Sequence, residues 1–184
     1  MSKAKVVARF FQVVCLGMAL STNVYPQKIA AGDFHNLFIK EDGSLWAWGE
    51  NSYGELGIGV TGDQSSPVRV GVESDWTKVS AGWSYSVGIK TDGTLWAWGR
   101  NQFGRLGDGT SEDRLTPTQI GTSTDWLDVG AGREHVLAIR SDGTLWAWGR
   151  NNQGQLGDGS QVDKAEPVQI GEDDDWKEAR GGFD

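Results

Sequence analysis

Few side chains in this sequence are of types that do chemistry, and their spacing decides against each in turn. His35 and His135 are the only histidines, one hundred residues apart, with Tyr85 midway between them. A general base is not interchangeable with a phenol, so the three positions are expected to share a structural task, a hydrogen bond near a strand end. Gly57-x-Gly59-x-x-Gly62 has the spacing of a dinucleotide fingerprint. It opens no helix, because Asp63-Gln64-Ser65-Ser66-Pro67 follows, and Glu112 and Val162 stand where a third glycine would recur. Asp108-Gly109-Thr110 with Asp113, and Asp158-Gly159-Ser160 with Asp163, offer oxygen ligands without the spacing of a calcium loop; an Asx turn accounts for them. No Gly-Lys-Ser/Thr phosphate loop occurs, and the only cysteine is Cys15. The chain is therefore expected to be no enzyme, with no catalytic residue, no cofactor and no metal.

Chemistry of recognition is better represented. The chain has 10 tryptophans, and Trp46, Trp48 and Trp76 recur at fixed positions, as packing would require. Trp83 does not recur, since Asp33 and Arg133 stand at its equivalent places, so packing does not demand it.

The elements that must position these residues follow from a repeat of 50 residues. Leu45-Trp46-Ala47-Trp48-Gly49 returns at Leu95 and at Leu145, and Asp75-Trp76 returns at Asp125 and Asp175. Leu37 to Lys40, Glu41-Asp42-Gly43-Ser44 and Leu45 to Trp48 read as a hairpin whose Asp-Gly pair suits a type I′ turn. Segments around Ile29-Ala30-Ala31 and Val68-Arg69-Val70 complete four strands, with Pro67, Pro117 and Pro167 entering the fourth. Alternation puts Leu45 and Ala47 on one side of the third strand and Trp46 and Trp48 on the other. Both sides need cover, which fits a propeller blade better than a sandwich sheet. The fold class expected is all-β: three four-stranded antiparallel blades of an incomplete propeller, repeats 30–79, 80–129 and 130–179, with a fourth opening at 180–184.

Ala31-Gly32-x-x-His35, then Asp42-Gly43-Ser44-Leu45-Trp46-Ala47-Trp48-Gly49-x-Asn51-x-x-Gly54-x-Leu56-Gly57-x-Gly59, then Pro67, resembles the repeat of the regulator of chromosome condensation family. The resemblance covers residues 27 to 184 in three copies. It implies a β-propeller, typically of seven blades, of a secreted, bacterial-type member, whose relatives include a propeller inhibitor of β-lactamases. The family's founding nuclear member implies one alternative, nucleotide exchange on a small GTPase, although the equal repeats carry no insertion to act as a wedge. Lectin-like glycan binding is the other alternative.

Residues 1–21 read as a signal peptide: Lys3, Lys5 and Arg9, an apolar run from Phe10 to Leu20, then small residues, with cleavage near Ser21. The apolar run is too short to span a bilayer. Cleavage removes three cations and no acid, so the net charge of −8 becomes −11, which disfavours nucleic acid. The mature domain, residues 22–184, is expected to be secreted and to bind a protein. Connections alternate between the two ends of a blade, so the first-to-second and third-to-fourth strand loops share one face. That face carries Phe34, Tyr53, Trp83, Phe103, Arg105 and Arg133, residue types that anchor interfaces. Changes at Lys78 and Asp128, by the opposite-face links, are expected to leave binding intact. If the reading frame is truncated, uncovered blade sides are expected to self-associate.

Overall fold

The structure, a computed structural model, describes residues 28–182; the expected signal segment lies outside them. Three four-stranded antiparallel sheets follow one another along the chain. Blade 1 contains β1 (Ile29–Ala31), β2 (His35–Ile39), β3 (Leu45–Gly49) and β4 (Gln64–Arg69). Blade 2 contains β5 (Trp76–Ala81), β6 (Tyr85–Lys90), β7 (Leu95–Gly99) and β8 (Arg114–Gln119). Blade 3 contains β9 (Trp126–Ala131), β10 (His135–Arg140), β11 (Leu145–Gly149) and β12 (Lys164–Ile170). In each sheet the strands lie in sequence order, which is the all-β propeller architecture expected. Among the described residues no helix is long and apolar enough to cross a membrane.

The hairpin joining the second and third strands differs from expectation. Gly43 has φ +79° and Asp42 is not left-handed, so the two positive-φ residues of a type I′ turn are absent. Gly43 N donates to Lys40 O (3.0 Å) and Lys40 N to Ser44 O (2.9 Å), which is a type I turn closed by a glycine bulge. Asp42 contributes its side chain instead. Its Oδ1 accepts from Ser44 N (3.0 Å) and Ser44 Oγ (2.6 Å), and Ser44 Oγ accepts from Trp46 Nε1 (3.0 Å). Asp92, Thr94 and Trp96 repeat the set, as do Asp142, Thr144 and Trp146. These bonds hold the Asp42, Asp92 and Asp142 carboxyls below the usual carboxylate range.

The prolines sit inside the fourth strand rather than at its entry: β4 starts at Gln64, and Pro67 lies within it. This strand is the outer edge of each blade, where a missing N–H costs no ladder bond.

The core lies between blades. The aliphatic side of blade 1, made of Leu37, Ile39, Leu45, Ala47, Leu56 and Val70, packs against Trp76, Trp96 and Trp98 of blade 2. Val87, Ile89, Leu95, Ala97, Leu106 and Ile120 of blade 2 take Trp126, Trp146 and Trp148 of blade 3 in the same way. The indoles meet edge to face: Trp76 with Trp98 at 5.6 Å and 64°, Trp126 with Trp148 at 6.2 Å and 61°. Trp98 Nε1 donates to Glu55 O (2.9 Å) and Trp148 Nε1 to Arg105 O (3.1 Å), so these two indoles are satisfied by the preceding blade's loop. His35 Nε2 lies 2.9 Å from Ser86 Oγ, and Tyr85 OH donates to His135 O (2.6 Å) or Gly132 O (2.9 Å). Both side chains therefore tie a blade to its successor. Lys78 Nζ pairs with Asp128 Oδ1 at 2.7 Å, and Asp128 Oδ2 accepts from Ala179 N at 2.8 Å. Asp128 is buried, so it is part of a blade junction.

Candidate functional site

The loops joining the third and fourth strands are built around one buried asparagine each. Asn101 Oδ1 accepts from Leu106 N (3.0 Å), its Nδ2 donates to Asp108 Oδ1 (3.0 Å), and its N donates to Asp113 Oδ1 (2.7 Å). Asn151 does the same with Leu156, Asp158 and Asp163. The Asp108 carboxylate also accepts from Thr110 and pairs with Arg114 (2.6 Å), and that of Asp158 pairs with Lys164 (3.2 Å). Burial works to raise Asp108, but the bonds from Thr110 and Arg114 outweigh it, and Asp158 is lowered chiefly by the backbone and hydroxyl of Ser160. These carboxylates are spent inside their own loops. Among the described residues no group of three or more His, Cys, Asp or Glu could hold a metal ion.

Each such loop is bonded to the loop between the first and second strands of its own blade: Glu50 N donates to Phe34 O, Arg100 N to Ser84 O and Arg150 N to Glu134 O, at 2.8–2.9 Å. The Asp-Gly turns are bonded instead to the blade-to-blade links, Trp76 N to Gly43 O and Trp126 N to Gly93 O. The two loop sets thus occupy opposite faces.

On the first face, guanidinium groups and aromatic rings alternate. Arg100 lies 4.6 Å from the Tyr53 ring centroid and 4.8 Å from that of Trp83. Arg133 lies 5.0 Å from Trp83, and Arg105 lies 5.7 Å from both Trp83 and Phe103. Arg150 continues the series, 5.0 Å from Phe103. Glu134 ties the far end, one oxygen to Arg105 (3.2 Å) and the other to Arg150. The only two non-glycine residues with positive φ in the described chain, Ser84 (59°) and Phe103 (67°), both belong to this cluster. Such conformations cost about 1–3 kcal/mol each and collect at functional sites.

Of the six residues expected on this face, Tyr53, Trp83, Phe103 and Arg133 are brought together and half-buried. Phe34 is 67% exposed and stands apart from the cluster. Arg105 departs from expectation. It is wholly buried, donating Nε to Gln102 O (2.8 Å) and Nη1 to Trp83 O (3.1 Å), so it braces the face from beneath. Burial lowers its pKa, against the pull of Tyr85 and Glu134. Glu55, at the equivalent place in blade 1, is buried with Oε1 unpartnered among the described residues, and burial raises its carboxyl. Sequence reasoning missed Arg100, Arg150 and Glu134. Their signal was a change of type at two repeat positions: Glu50 becomes Arg100 and Arg150, and Phe34 becomes Ser84 and Glu134.

Comparison with known proteins gives the same architecture. Over 54 residues the chain is 37% identical to the ultraviolet-B receptor UVR8 of Arabidopsis thaliana, 29% of this chain and 12% of the relative. Over 46 residues it is 48% identical to the X-linked retinitis pigmentosa GTPase regulator homolog of Caenorhabditis elegans, 24% of this chain and 3% of the relative. Among solved structures, Prp20p of Saccharomyces cerevisiae, described with its binding to Gsp1p and histones, superposes with a TM-score of 0.71 at 23% identity, over 80% of this chain and 39% of that one. Human WBSCR16 superposes with a TM-score of 0.70 at 24% identity, over 77% and 37%. The chain thus spans well under half the length of each of these proteins. The regulator of chromosome condensation (RCC1) repeat matches residues 42–89, 92–139 and 142–182, and a second form of that repeat matches 27–55, 76–105 and 126–155. With three matches over most of its length and the blade architecture of its solved neighbours, the chain belongs to the regulator of chromosome condensation repeat family.

Proposed function

We propose that this chain is a non-catalytic protein-binding module, exported with removal of residues 1–21, whose partner seats on the face carrying Tyr53, Trp83, Phe103 and Arg133. The observation that carries this reading is the alternation of guanidinium and aromatic groups across the loops of three blades. Arg and large aromatics are the usual interface anchors, and here packing has already fixed their rotamers, so little ordering entropy remains to oppose binding. A protein partner fits better than a glycan, because guanidinium groups already lie against the Trp83 ring where a sugar would stack.

The partner is first identified by cross-linking in the extracytoplasmic fraction. With that partner in hand, Trp83→Ala, Phe103→Ala and Arg133→Ala are each expected to weaken binding, at least one by over ~1 kcal/mol. Glu41→Ala on the opposite face, replacing Lys78 and Asp128 as control, is expected to leave affinity unchanged; the reverse pattern would overturn the choice of face. Export predicts a mature N-terminus between about Leu20 and Tyr25 by mass spectrometry, and an intact Met1 in the cytosol would contradict it. Self-association is a second reading, favoured by Trp176, which is 42% exposed where Trp76 and Trp126 are 4% and 5%.

A further inference from the structure

We infer that Arg100 is a ready-made receptor for a carboxylate, and that the partner of this face places an acidic side chain on it. This rests on the reading of the face given above and names its chemistry. Arg100 and Arg150 occupy the same position, one residue beyond Leu-Trp-Ala-Trp-Gly, and each lies against an aromatic ring of the preceding blade's loop, Tyr53 for Arg100 and Phe103 for Arg150.

Blade 3 shows what an arginine at this place takes. Arg150 Nη1 is paired with Glu134, a carboxylate 4% exposed on the loop between β9 and β10. In blade 2 the residue at the position of Glu134 is Ser84, too short and without the charge to replace it. The Arg100 side chain accordingly makes no hydrogen bond and no ion pair among the described residues; its contacts are the two rings, at 4.6 and 4.8 Å. Its backbone N–H is satisfied by Ser84 O (2.8 Å), so the backbone is fixed in the same way as that of Arg150.

A guanidinium carries five N–H donors in a planar fork that matches a carboxylate edge to edge. The two rings engage Arg100 without consuming those donors. They also prepay the side-chain entropy that an arginine otherwise loses on binding. Arg133 lies against the same Trp83 ring and adds positive charge beside Arg100, in a chain whose net charge is −8; the charge of Arg105 is balanced by Glu134. An acidic segment is thereby drawn to this patch and repelled elsewhere.

The test uses a labelled, end-blocked hexaglutamate peptide titrated onto the full chain by fluorescence anisotropy at low salt. Wild type is expected to bind, Arg100→Lys at least fivefold more weakly and Arg100→Gln more weakly still, with circular dichroism unchanged in all three. The Lys variant keeps the charge and loses the fork, so binding equal to wild type would overturn the proposal, as would the absence of peptide binding by wild type. Tripolyphosphate serves as the competing anion. If it binds through Arg100 and the peptide does not, the site is one for phosphate and the carboxylate assignment falls. Partner binding that is lost in Trp83→Ala but kept in Arg100→Gln would leave the face standing and remove this inference alone.

Discussion

Several polar side chains of this molecule are held where water is not. Arg105 and Glu134 have side chains 0% and 5% exposed and lie 3.2 Å apart, so removing either leaves a buried charge without its counter-ion. Glu134→Ala is expected to cost about 3–5 kcal/mol, read as a lower urea midpoint with an unchanged slope, and it should also loosen Arg150. His35 makes a different statement. Burial lowers its imidazole from 6.5 to about 4, because the ring packed beside Ser86 resists taking a proton that the unfolded chain accepts. The folded pKa lies below the unfolded one, so stability is full above pH 6.5 and falls as pH drops from 6.5 towards 4, by about 3 kcal/mol in total. In His35→Gln that part of the decline should vanish from a series of melts across the window. An undiminished slope would mean that other groups carry it.

At the scale of the element, the repeated hairpin depends on glycine for space as well as for conformation. Gly93 has φ +77°, and a Cβ there would overlap the carbonyl of Thr124 in the link to blade 3. Gly121, at φ +63°, has nothing within 4 Å of such a Cβ. Gly121→Ala should therefore cost only the left-handed penalty, about 1 kcal/mol, and Gly93→Ala clearly more, with both measured by chemical denaturation. Equal costs would show that the turn and the link adjust independently. Gly88 is a second case of space: a Cβ there would come within 2.8 Å of Trp76, and Ala138 fills the same place in blade 3. Phe38 stands there in blade 1.

For the whole molecule, stability is a sum over junctions between neighbouring blades. Trp126, 5% exposed between blades 2 and 3, should cost about 3–5 kcal/mol on change to Ala. Trp176 holds the same repeat position at 42% exposure, so Trp176→Ala should cost under about 1 kcal/mol at a concentration where the chain is monomeric. In a protein of these residues alone, self-association would be head to tail, the tryptophan side of one blade 1 on the aliphatic side of another blade 3. Trp48→Glu and Ile170→Glu, each half-buried on one of those sides, should then be monomeric alone and form a one-to-one pair when mixed, as sedimentation would show. A chain that stays monomeric at high concentration would refute this.

The 50-residue period and the alternation within Leu-Trp-Ala-Trp were enough to specify blades, strand order and which side of each strand the tryptophans take, because strand periodicity and two-sided burial are local demands written in every copy. That the first-to-second and third-to-fourth strand loops share one face was legible too, since antiparallel connections must alternate between ends. What only the tertiary structure decided were pairings between residues far apart in the chain. The turn is a type I turn with a bulge because Asp42 spends its carboxylate on Ser44, a competition that no dipeptide preference reveals. Arg105 went under the face rather than onto it because Glu134, 29 residues later, is buried beside it. Lys78 and Asp128 became a blade junction. A buried ion pair depends on where two loops of different blades meet, and a sequence pattern that sets each blade by itself leaves that meeting to the packing of one blade on the next.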